Sequence, residues 1–129
     1  MHKKESAVLL GTILILDHKS YPDSDLRNAV LVVGDHIPVL DDTGDLIGSA
    51  EVYRAGNSVH ARCTINYNSS IRLDVETGAR KWYAYGVGKI SGTEGKNGKL
   101  NVSHVEVASV QLIPEPPFDD RIEPVWMSD

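Results

Sequence analysis

The stretch Ser58–Asn66 constrains the fold most. Val59, Ala61, Cys63 and Ile65 alternate there with Ser58, His60, Arg62, Thr64 and Asn66. Only an extended chain puts every second side chain on one face, so the run reads as a strand with one buried and one wet side. Residues 47–54 form its partner, joined through Ala55-Gly56-Asn57, a glycine-containing hairpin loop. Upstream, residues 7–16 are an apolar run of strand length, and 28–33 and Ile37–Leu40 read as two more strands. Gly34-Asp35 and the run Asp41-Asp42-Thr43-Gly44-Asp45 supply the turns.

Downstream, residues 80–90 are aromatic and β-branched, with Gly86 and Gly88 inside the run. Glycine within a strand marks a bulge, a sharp bend or a close backbone approach. The turn Gly95-Lys96-Asn97-Gly98 leads into a long last strand over residues 99–113. Its apolar phase flips between Val105/Val107 and Val110/Leu112, which predicts a bulge near Ala108-Ser109. Residues 69–76 are the one candidate for a short helix. The expected fold is mostly β: a small barrel or sandwich of about seven antiparallel strands, with at most one short helix and an extended C-terminal tail. Residues 1–113 form the barrel-like domain, and residues 114–129 are a proline-rich acidic tail. Pro114, Pro116, Pro117 and Pro124 oppose regular structure there, while Phe118 and Trp126 are large apolar groups that either fold back on the domain or bind a neighbour.

A chain of 129 residues, 41% hydrophobic and 24% charged, can bury a core without staples, and the lone Cys63 excludes an internal disulfide. The net charge of −5 is concentrated at the end: Glu115, Asp119, Asp120, Glu123 and Asp129 face a single Arg121 in the last fifteen residues. The near-neutral remainder carries no basic footprint for nucleic acid. His2, Lys3 and Lys4 ahead of an apolar run resemble a secretory leader. The run nevertheless ends in Asp17-His18-Lys19 without a small-residue cleavage site, and it is too short to span a bilayer as a helix, so no membrane association is expected. The sequons at Asn68 and Asn101 carry no weight in that setting.

No motif for catalysis, metal or cofactor is complete. Gly86-Val87-Gly88-Lys89 lacks the leading glycine of a phosphate loop, where Tyr83 stands, and the Ser or Thr after its lysine, where Ile90 stands. The acidic turn 41–45 lacks the order and closing glutamate of a calcium loop. His60 and Cys63, three apart on a strand, point to opposite faces and cannot share one ion without a bulge. Cys63 falls on the apolar face, where a thiol is packing, and no glycine-flanked nucleophile elbow is present.

Three stretches carry a family resemblance through their order and spacing over residues 28 to 114. They are Ile37-Pro38-Val39-Leu40 followed by Ile47-Gly48-Ser49-Ala50, then Ala84-Tyr85-Gly86-Val87-Gly88, then Val105-Glu106-Val107-Ala108-Ser109-Val110. Together they resemble the prohead proteases of tailed phages, which share a β-barrel with herpesvirus assemblins. The resemblance places the family's catalytic histidine in a loop where this chain has Asp41 and Asp42. It places the nucleophilic serine where this chain has Gly86 or, one register over, Tyr85. Glycine has no side chain, and a phenol of pKa about 10 is protonated at neutral pH. Ser109 matches a serine of the closing signature and reads as structural.

The resemblance therefore implies a retained fold whose chemistry is lost, with Asp41, Asp42, Tyr85 and Gly86 as vestigial positions. The expected function is that of a non-enzymatic structural protein of a tailed-phage particle. It would be a capsid decoration or cement protein in the virion, assembled in the host cytoplasm, that binds the major capsid protein or itself. Pro116, Pro117, Phe118 and Trp126 of the tail would make the contact, and a chain ending at Pro114 would stay folded but bind particles weakly. A β-barrel module for another protein or a carbohydrate, and an active prohead-type serine protease, are the alternatives that the residues leave open.

Overall fold

Residues 5–17, 21, 23–26 and 28–128 are described in a computed structural model of the chain. In chain order they form β1 (Ser6–Ile15), β2 (Ser24–Asp25), β3 (Val30–Val33), β4 (Ile37–Leu40), β5 (Leu46–Ala55), β6 (Ser58–Asn66), α1 (Ser70–Thr77), β7 (Tyr83–Glu94), a 3₁₀ turn at Lys96–Gly98, β8 (Leu100–Ile113) and β9 (Trp126–Met127). The alternation in β6 does what its period requires: Val59, Ala61, Cys63 and Ile65 are each no more than 1% exposed. The domain is mostly β, with a single α-helix among the described residues, as the sequence implies. Ser69 caps that helix by accepting a hydrogen bond from the Ile71 N–H at 3.2 Å, and Gly78 ends it in the left-handed conformation at φ 74°.

All nine strands belong to one sheet with β8 as its spine. Along one edge of β8 runs β7, antiparallel; along the other lie β2, β3 and β4 in succession, all parallel to it. From β4 the sheet continues antiparallel through β5 and β6 to β1. The three parallel pairings depart from the antiparallel expectation. Residue alternation reports which face of a strand is buried and is silent about the direction of a partner some seventy positions away.

Two bulges set the path of β8. Val87 pairs with Ser109 and Gly88 with Val107, which leaves Ala108 unpaired; Ser91 pairs with His104 and Gly92 with Val102, which leaves Ser103 unpaired. Each extra residue reverses the buried phase, so Val102, then Val105 and Val107, then Val110 and Leu112 reach the core. The first bulge is the one the phase flip predicts. On β7, a Cβ at Gly88 would stand 1.8 Å from the Glu106 carbonyl oxygen, and one at Gly92 would stand 2.1 Å from that of Asn101. Only glycine allows this backbone approach.

The sheet curls until β1 and β7 approach one another, but no ladder joins them among the described residues, and the barrel stays open there. The tail seals the lower part of that seam. Val125 donates its N–H to the Trp82 carbonyl at 2.8 Å, Trp126 and Met127 pair with Leu10 and Leu9, and Ser128 donates to the Val8 carbonyl at 2.9 Å. Ile122 and Val125 are buried against the core, at 7% and 5% exposure. The residue-113 boundary therefore marks the end of β8 and does not divide two folding units. A chain ending at Pro114, expected from the sequence to keep its fold, would lose β9 and two buried aliphatics.

Candidate functional site

Above the sealed part, the open seam forms a cleft of about 470 Å³. One side is the inner face of the β7–β8 hairpin, with Gly86, Gly88, Ile90, Val105 and Val107. The end of β1 supplies Ile13, Leu14 and Ile15, and the tail supplies Pro117, Phe118, Asp119 and Ile122, with Tyr21 beside them. The absence of a side chain at Gly86 makes room here, whereas Gly88 lets the two backbones approach. A Cβ at Gly86 would meet side-chain atoms alone, the Ile13 Cδ1 at 3.2 Å and the Val107 Cγ1 at 3.7 Å, both of cleft-lining residues.

The tail is fixed over this cleft by charge and hydrogen bonds. Arg121 grips both Asp17 oxygens through Nη1 and Nη2, and its Nε and Nη2 reach the Asp119 carboxylate at 2.9 and 2.7 Å. This two-sided fork holds the tail to Asp17, two residues past β1, and orients the loop that precedes Ile122. Tyr85 adds a second tie by donating its hydroxyl to the Glu115 carbonyl at 2.7 Å. Pinned at both ends, the loop presents Phe118 at 95% exposure on the lip of the cleft.

Burial, followed by the neighbouring Glu115 and Tyr83, raises the pKa of Tyr85, and burial with Asp119 does the same for Tyr21, so both phenols stay protonated. Cys63 lies in the core, and burial pushes its thiol up to about 12. Ser103 and His104 meet at 3.0 Å, but the Ser103 hydroxyl also donates to the Ser91 carbonyl at 3.1 Å, which directs its proton away from the imidazole. His60 Nδ1 lies 3.0 Å from the Thr12 hydroxyl, and its ring packs against Tyr53. Among the described residues no group of three His, Cys, Asp or Glu side chains could hold a metal ion, and no helix is long and apolar enough to cross a membrane.

The residues singled out from the sequence divide between two places. Tyr85, Gly86, Pro117 and Phe118 line the cleft, with Pro116 exposed beside them. Trp126 is half exposed on β9, outside the cleft lining. Asp41 and Asp42 lie across β8, in the turn between β4 and β5, where Gln111, the partner of Tyr85 in register, donates to the Asp41 carbonyl at 3.1 Å. Asp41 is a turn-former: its Oδ1 accepts from the Thr43 hydroxyl and from the N–H groups of Thr43 and Asp45. Sequence reasoning missed Ile13, Tyr21, Ile90 and Ile122 as cleft residues. Gly86 in β7 was the available signal, because a glycine inside a strand leaves space where a side chain would stand.

Compared with known protein families, with curated proteins and with solved structures, the chain matches none.

Proposed function

We propose that this chain is a non-enzymatic structural protein that binds another protein through the cleft and its Phe118 lip, and that its setting is the shell of a tailed-phage particle, as a decoration or cement protein. The observation that carries the binding reading is Phe118. A phenylalanine 95% exposed on a pinned loop beside an apolar cleft costs solvation and does nothing for the fold. Aromatic residues next to apolar recesses are the usual anchors of protein–protein contacts. The resemblance of Ile37–Leu40, residues 84–88 and residues 105–110 to prohead proteases supplies the setting, with the major capsid protein as the partner. The non-enzymatic reading rests on the residues at the vestigial positions: a glycine, a protonated phenol tied to a backbone carbonyl, and a turn-forming aspartate.

The test is co-sedimentation of the purified chain with mature capsids. Phe118→Ala leaves the fold intact, because the side chain is solvent-exposed, and is expected to weaken binding by about 30-fold, the effect of losing a hot spot of about 2 kcal/mol. Equal binding by the variant and the wild type would remove Phe118 and the cleft from the contact.

A further inference from the structure

From Gly86 onward β7 has β8 on one side and, among the described residues, no strand on the other. This free edge runs from Gly86 to Glu94, close to 30 Å at roughly 3.3 Å per residue. An edge of that length is a template for pairing, and proteins usually blunt it with proline, lysine or a covering segment. This one has no proline, and its single lysine, Lys89, is turned toward Glu106 at 3.8 Å. The apolar cleft opens beside it, so a strand laid along β7 would direct alternate side chains toward Ile13, Ile90 and Phe118. The charge around the cleft also selects an occupant. Glu115, Asp120 and Glu123 are exposed on the tail, whereas the tail's one cation, Arg121, is bound to Asp17 and Asp119.

We propose that the free edge of β7 takes up an extended, basic-flanked segment of the partner protein as an added strand, with alternate apolar side chains of that segment seated in the cleft. Main-chain hydrogen bonds to β7 would supply affinity and the cleft would supply selectivity. The inference rests on the protein-binding reading above and specifies its mode.

The test uses a displayed library of nine-residue peptides with Val, Ile, Leu or Phe at alternate positions, Ser or Thr between them, and Lys or Arg at both ends. A second library has the same composition with its apolar residues clustered. The full chain is expected to enrich the alternating library, with affinity that falls as salt is added. Gly86→Val, which fills the cleft floor, and Ile90→Arg, at a half-exposed position, are each expected to cost at least tenfold. An enriched peptide is then resynthesised with N-methyl groups on alternate amides: one phase is expected to cost at least tenfold and the other little. No preference for alternation, no loss in either variant, or indifference to both methylation phases would overturn the proposal. Self-association of the chain that Ile90→Arg abolishes would also overturn it, by assigning the edge to a second copy. If Phe118→Ala still loses capsid binding while methylation has no effect, the binding reading stands and the strand mode falls. If alternating peptides bind as described but capsids do not, the strand mode stands and the capsid setting falls.

Discussion

Gly86 and Gly88 stand two residues apart on one face of β7 and lack side chains for different reasons. At Gly88 the obstacle is backbone, the Glu106 carbonyl 1.8 Å from any Cβ, whereas at Gly86 it is the movable end of Ile13. Gly88→Ala is therefore expected to lower unfolding free energy by about 3 kcal/mol and Gly86→Ala by less than about 1 kcal/mol. Urea titrations of the two variants check this directly; equal costs would mean that the bulge does not depend on glycine. Cys63 gives a prediction with a sign. Its folded thiol ionises only near pH 12, while the unfolded thiol ionises about three units lower. The native state thus holds a proton that the unfolded state releases, and stability falls as pH rises above about 9, by at most about 1.4 kcal/mol per pH unit from this group. At neutral pH the same thiol should resist a maleimide until the protein is unfolded. Asp41 acts in the opposite direction. The Thr43 hydroxyl, then the backbone N–H groups of the turn, hold its carboxyl below the usual range, so its contribution is present at neutral pH and is lost as pH falls through that depressed value. Asp41→Asn should flatten the acid limb of the stability curve.

At the scale of elements, the strands that could be read from the sequence are those whose own side chains record burial. Ile37–Leu40 and Ser58–Asn66 have the same limits in sequence and structure, and the bulge at Ala108 is written in the phase of β8. What could not be read depends on partners far along the chain. Arg121 meets Asp17 across 104 positions, and nothing local to either residue announces the pair. The tail's prolines argue against regular structure, yet Ile122 and Val125 are spaced to reach the core before β9 joins β1. A chain ending at Pro114 gives up those two side chains, worth about 1.5–3 kcal/mol each, out of a total that for small domains is about 5–15 kcal/mol. It is expected to unfold at markedly lower urea concentration than the full chain. An unchanged midpoint would show that the tail only rests on the domain.

For the molecule as a whole, the mostly β fold was legible because alternation, turn residues and chain length agree. The cleft was only partly legible. Gly86 marks one wall, but the other walls come from β1 and from the folded-back tail, and they exist only once the sheet has curled. A deep pocket lined by reactive groups would have pointed to chemistry. Here most of the lining is apolar, the Tyr85 hydroxyl is tied to a backbone carbonyl, and the most exposed large apolar side chain is Phe118.

The measurement that tests the proposed binding role most directly is a quantitative count of the chain in purified immature and mature capsids from the genome that encodes it. The account predicts many copies per mature particle, in a fixed ratio to the major capsid protein, and loss of those copies when Phe118 is replaced by alanine. Presence in immature particles only would contradict the decoration role and favour a part in assembly. Absence from both would contradict the capsid setting altogether.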